Sequence, residues 1–310
     1  MAKIECVFDA SGYKVGLGEG PHWDDKNQRL LWVDVFDRSD ETKGKTLHIY
    51  DAATGTDRAI KLCSFVTSVV PRKNKSSSVA VTFERNFAFL DLETGKLEII
   101  KTVDDDKQRN RFNDGKCDAV GRYWAGTLGP EPVPTQILPY QGSLYSLDVG
   151  SSNVRQTHKE ISLSNGLGWS TDNKIMYHID TYERKVFAYD FDLVSGSVTN
   201  KRVAIDVAPE LGWPDGLCVD IEDKVWVAMY DGGQVVRFDP SNGAVLRSVK
   251  LPVSKVTSCC WGGKNFDELY VTSAREFLSE EKVKNEPLAG SVFKVTNLNC
   301  KGMRANEFDG

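Results

Sequence analysis

Tyr50-Asp51-Ala52-Ala53-Thr54-Gly55 closes one apolar stretch, and the same ending returns as Leu90-Asp91-Leu92-Glu93-Thr94-Gly95, Phe191-Asp192-Leu193-Val194-Ser195-Gly196 and Phe238-Asp239-Pro240-Ser241-Asn242-Gly243. In each copy an aspartate that can bond backbone groups two residues on precedes a glycine that can take the positive φ of a tight reversal. The recurrence marks equivalent β-hairpins. Aromatic or β-branched strands precede them at Leu30–Val33, Val79–Val81, Tyr123–Ala125, Ile175–Tyr177, Val225–Val227 and Leu269–Val271, roughly 44 to 53 residues apart. That interval is close to the length of a four-stranded propeller blade.

Six such units predict an all-β, six-bladed β-propeller occupying residues 1–310 as a single domain. Gly and Pro interrupt the chain too often for long helices, and sustained helical periodicity is scarce. A β-sandwich or jelly roll has no need of six units of one length sharing one turn chemistry. The N-terminal Ile4–Phe8 segment is expected to add an outer strand to the last blade and close the ring, which removes exposed strand edges.

Composition narrows the function. The chain carries 27% charged residues and a net charge of -5, with its Lys and Arg scattered rather than gathered in a stripe. No footprint for a nucleic-acid backbone is visible. No apolar run approaches the roughly 20 residues of a membrane span, and the first residues lack the apolar core of a signal peptide. A cytosolic monomer is expected. The seven cysteines are an odd set without C-x-x-C spacing, so free, mostly buried thiols are expected, and the adjacent Cys259 and Cys260 read as packing residues.

Counting back 11 to 13 residues from each aromatic strand reaches the segment that should line the central channel. Four of these pair polar residues with glycine: Glu19-Gly20-Pro21, Asn113-Asp114-Gly115, Asn165-Gly166-Leu167 and Pro214-Asp215-Gly216. The other two are Thr67-Ser68 and Thr257-Ser258. Each dipeptide alone is an ordinary turn signal, but their shared register places them on one circle around the channel. Crowded carboxylates resist ionisation unless a cation joins them. Glu19, Asn165 and Asp215, with Asn113 nearby, therefore read as an all-oxygen site for one divalent cation, with calcium, magnesium, manganese and zinc all open.

Over its whole length the chain resembles the regucalcin (senescence marker protein) and gluconolactonase family, which includes the luciferin-regenerating enzyme of fireflies. The resemblance is carried by Gly18–Asp24, Arg111–Lys116, Gly121–Thr127, Ser164–Ser170, Pro214–Gly216 and Asp267–Ser273. It implies that Glu19, Asn165 and Asp215 hold the metal, that Asp215 also acts as general acid/base, and that Arg111 and Asn113 contact substrate hydroxyls. Counting from Gly126-Thr127 makes Glu131 a further substrate contact, in a Pro-containing loop that departs from the family pattern and is placed to set substrate choice. The implied activity is metal-dependent hydrolysis of a small sugar lactone. A calcium-binding regulator, or a hydrolase acting on an organophosphate or in luciferin regeneration, is the alternative. His22 and Trp23 are expected to support the site by packing and hydrogen bonding, and His178, Asp180 and Arg184 stand outside the catalytic set.

Overall fold

A computed structural model describes residues 2–12, 15–36, 45–150 and 152–310. Their strands form six four-stranded antiparallel sheets. Blade 1 runs outward through Gly18–Asp24, Arg29–Asp34, Thr46–Asp51 and Thr56–Lys61, and blade 2 through Val66–Pro71, Ser78–Phe83, Asn86–Asp91 and Leu97–Thr102. Blade 3 comprises Arg111–Cys117, Tyr123–Leu128, Gly142–Leu147 and Val154–Ile161; blade 4 comprises Ser164–Trp169, Ile175–Asp180, Lys185–Asp192 and Ser197–Asp206. Blade 5 follows with Trp213–Val219, Val225–Tyr230, Gln234–Asp239 and Ala244–Lys250. Blade 6 takes Val256–Gly262, Glu268–Ser273 and Val292–Thr296, then receives the N-terminal strand Lys3–Phe8 as its outer edge. The six-bladed propeller and its closing strand are as the sequence predicts.

The repeated corner works as its chemistry requires. Asp51 accepts the N–H groups of Ala53 and Thr54 at 2.9 Å, and Gly55 turns at φ +70°. Asp91, Asp192 and Asp239 cap their own turns in the same way.

Each blade's first strand contacts the first strands of its two neighbours, which closes a ring around the axis. The blades are held by six apolar clusters, one at each interface. Between blades 3 and 4, for example, Trp124 and Leu144 pack against Leu167, Trp169 and Phe187. All seven cysteines are free, and Cys117, Cys218, Cys259 and Cys260 are buried. Helix is confined to a single turn at Pro209–Leu211 and to Glu280–Asn285 among the described residues.

The segment after blade 6 crosses the far end of the channel. Lys301 and Gly302 bond Ile221 and Phe266, Asn306 reaches the Cys117 carbonyl, and Phe308 buries its ring beside blade 3 while pairing with Pro71 and Lys73. Met303–Asn306 form one wall of a cavity of about 150 Å³ that also touches His22, Lys116 and Cys218.

Candidate active site

The channel residues owe their placement to a backbone irregularity shared by all six blades. Every first strand carries one residue more than its partner, between Glu19 and His22, Val66 and Ser68, Phe112 and Gly115, Ser164 and Leu167, Pro214 and Leu217, and Val256 and Ser258. A bulge of this kind leaves residues out of the ladder and re-aims their side chains. The polar residues lie at or beside these interruptions, which explains why polar-Gly pairs recur at one register. Glycine is needed here for close approach: a Cβ on Gly216 would sit 2.0 Å from the Ser258 hydroxyl oxygen.

Glu19, Asn113, Asn165 and Asp215 come together on one cavity of about 470 Å³, which also takes in Arg111 and Glu131. The structure thus gathers all six residues singled out from sequence. Glu19, Asn165 and Asp215 are buried, with exposures of 9%, 4% and 7%. A chain of hydrogen bonds fixes the amides: Asn113 Nδ2 donates to the Ser164 carbonyl and to Asn165 Oδ1, Asn165 Nδ2 donates to Thr181 Oγ1, and that hydroxyl donates to the Pro214 carbonyl. The linkage spans blades 3, 4 and 5 and holds the Asn165 amide in a single orientation. Arg111 Nη1 donates to Asn113 Oδ1 at 3.3 Å while its guanidinium lies between Phe36 and Phe65, 5.9 and 5.8 Å from their ring centres.

The carboxyls are not neutralised from within. Burial pushes the Glu19 carboxyl up to about 8, the nearby Asp114 adds to this, and the Gly20 N–H and distant Arg111 only partly oppose it. Burial, then Glu19 and Asp114, hold Asp215 well above the usual carboxylate range, against a hydrogen bond from Asn165. Among the described residues no Lys, Arg or His forms an ion pair with either group. Two buried acids and an oriented amide oxygen with no cationic partner fit a hard divalent cation. Among the described residues no three His, Cys, Asp or Glu side chains cluster as a ligand set, so a cation held here would need neutral amide oxygens beside the two acids.

Asp114 is the residue sequence reasoning passed over. It is buried beside the ring, its own carboxyl raised by burial and eased by Lys116, and it acts on both Glu19 and Asp215. Its place in Asn113-Asp114-Gly115 was the available signal. Thr181, which orients Asn165, had no signal beyond its position after blade 4's second strand. His22 is buried, and burial and Lys116 depress its pKa to about 3. Among the described residues neither His22 Nε2 nor Trp23 Nε1 has a hydrogen-bond partner, and Trp23 stacks on Tyr270 at 5.1 Å, so these rings act by packing. Asp180 accepts the N–H groups of Ser162 and Leu163 and so shapes the approach to Asn165. Glu131 lines the cavity from the loop over its mouth and accepts the Thr135 N–H.

Residues 17–275 match the family described as SMP-30/Gluconolactonase/LRE-like region. The chain belongs to this family. Regucalcin of Gallus gallus is 43% identical over 308 residues, covering 99% of both chains. A solved luciferin-regenerating enzyme superposes with a TM-score of 0.89 at 33% identity over the full length of both chains. A calcium-binding protein, regucalcin, from Agrobacterium tumefaciens superposes with a TM-score of 0.85 at 25% identity, covering 96% of this chain and 95% of its own. In this member of the SMP-30/gluconolactonase family, no described helix is long and apolar enough to cross a membrane.

Proposed function

We propose that the protein is a divalent-metal-dependent lactonase, acting as a monomer on a small-molecule lactone. The observation that carries the reading is the meeting of Glu19, Asn165 and Asp215, from blades 1, 4 and 5, as buried oxygen donors in one cavity, the two acids without an ion-pair partner among the described residues. These three residues would hold the cation. Bound there, it supplies positive charge that polarises a carbonyl and offsets the charge developing on its oxygen.

Asp215 accepts a proton from the water that attacks the lactone carbonyl, and returns it to the ring oxygen as the acyl–oxygen bond breaks. The product is the open hydroxy acid, and no covalent enzyme intermediate is required. Arg111, Asn113 and Glu131 orient the hydroxyls that a sugar lactone presents. A second reading, calcium binding for regulation, is favoured by the likeness to the Agrobacterium calcium-binding protein. It uses the same ligands and needs no proton carrier.

The deciding experiment follows acid release from D-glucono-δ-lactone by metal-stripped protein as calcium, zinc, manganese or magnesium is returned, with Asp215→Ala as control. Metal-dependent turnover that Asp215→Ala abolishes supports the lactonase. Metal binding without turnover of this or any other lactone, for any ion, favours the regulator.

A further inference from the structure

The cavity wall carries both polar and apolar stretches. In the blade 3 sector Arg111, Asn113 and Glu131 offer polar groups. In the sector between blades 4 and 5, Ile137, Leu163, Tyr182 and Trp213 line the same cavity. Trp213 opens blade 5's first strand and is 39% exposed. The Arg184 guanidinium lies over its ring at 4.2 Å, and the Tyr182 ring, another lining residue, is centred 6.4 Å away. Ile137 is carried over the mouth by the loop that follows blade 3's second strand. That loop is pinned to blade 4, because the Tyr182 hydroxyl accepts the Ile137 N–H and donates to the Thr135 carbonyl.

Beside this wall the Thr181 hydroxyl bonds Asn165 and the Pro214 carbonyl, and the Tyr182 hydroxyl bonds the Ile137 N–H and the Thr135 carbonyl. A lactone bearing hydroxyls all round its ring would therefore turn some of them onto an apolar wall without partners, at a cost in affinity.

We infer that the preferred substrate is a lactone carrying an aromatic substituent, seated against Trp213, Tyr182 and Ile137, with its polar ring toward Arg111 and Asn113. This deepens the lactonase reading and rests on it for the chemistry, but the wall's preference is a binding property in its own right. An aromatic ring on Trp213 gains both buried apolar area and offset or edge-on ring contact, whereas an unsubstituted ring leaves that wall wet.

Two matched pairs of probes separate the claims. Hydrolysis is compared for δ-valerolactone and its derivative with phenyl on the carbon next to the ring oxygen. Binding by calorimetry is compared for δ-valerolactam and 6-phenyl-δ-valerolactam, which do not hydrolyse. The phenyl lactam is expected to bind at least about tenfold tighter than the plain one, and Trp213→Ala is expected to erase that advantage while leaving plain δ-valerolactam within about twofold. Ile137→Ser, at a surface loop, gives the same direction without touching a strand. Equal affinity for both lactams, or a preference that survives Trp213→Ala and Ile137→Ser, overturns the inference whatever the hydrolysis shows. Retained lactam discrimination with no lactone turned over in the presence of any metal removes the lactonase and leaves the aromatic subsite standing. A phenyl-lactone preference in kcat/KM that falls with Trp213→Ala, chiefly through KM, supports both.

Discussion

Asp220 and Asp215 lie five residues apart on one blade, both buried, yet the chain treats them in opposite ways. Asp220, with no exposure, accepts the backbone N–H groups of Glu222 and Lys224, the Trp226 indole N–H and the Arg237 guanidinium. Asp118 repeats the pattern in blade 3 with Val120, Arg122 and Trp124. Asp215 has the Asn165 amide for company and two acids, Glu19 and Asp114, acting against its charge. Saturation by fixed donors makes a carboxylate part of the scaffold. Incomplete compensation leaves Asp215 open to a partner from solution, and the contrast is drawn within one blade.

Substitution can break that comparison. The largest effect is expected from Asp215→Ala, which removes a proton carrier and a cation ligand together: lactone turnover at saturating metal should fall by about three orders of magnitude. The melting temperature of the metal-free protein should hold or rise, because a repelled buried acid is gone. Asp220→Ala should do the reverse. It leaves the buried Trp226 N–H without its acceptor and takes one of two carboxylates from Arg237, which keeps Glu222, so chemical denaturation should register a loss of roughly 1–3 kcal/mol, with kcat preserved where the protein stays folded.

Removing the metal sharpens the contrast through pH. Glu19 in the fold is raised to about 8, above its ordinary value of 4.5. A raised folded-state value means that its contribution to stability is fully present below the unfolded value and is lost as pH rises through the folded one. Metal-stripped protein should therefore lose stability between about pH 4.5 and 8. Glu19→Gln should flatten that slope by roughly 1–3 kcal/mol, measured by thermal melts across the range. Restoring metal should help wild type most at the alkaline end, because the ligands must be deprotonated to bind it. The smallest effect belongs to the outer corners. Gly55→Ala, at φ +70° with open space around it, should cost about 1 kcal/mol in denaturation and leave turnover unchanged.

The propeller was legible because its corner is local chemistry. Asp51 and Gly55 make the same turn wherever they stand, and spacing alone converts four such turns and six strands into blades. The channel donors were legible for the related reason that blade repetition maps sequence register onto a circle. Asp114 stood in the shared register of Asn113-Asp114-Gly115, but spacing alone does not weigh its electrostatic effect on Glu19 and Asp215, which acts between blades. The extra residue in each first strand was invisible as well, since a bulge shows itself only against a partner strand. Asp118 and Trp124, matched by Asp220 and Trp226 at the same separation, carried a signal that went unread. Identical spacing of a buried acid and an indole is the mark of a structural brace. The segment ending in Phe308 has neither periodicity nor repeat to announce it, and its docking depends on pockets assembled from five other blades' worth of loops and strands.

That same segment decides how molecules come and go. Met303–Asn306 form one wall of the cavity at the far end, opposite the mouth lined by Ile137 and Trp213. On the proposed function, a far end closed by this segment leaves the side of Ile137 and Trp213 as the doorway. Reactant and product therefore compete for one passage, and turnover at high product concentration should slow by simple obstruction, with inhibition competitive with substrate.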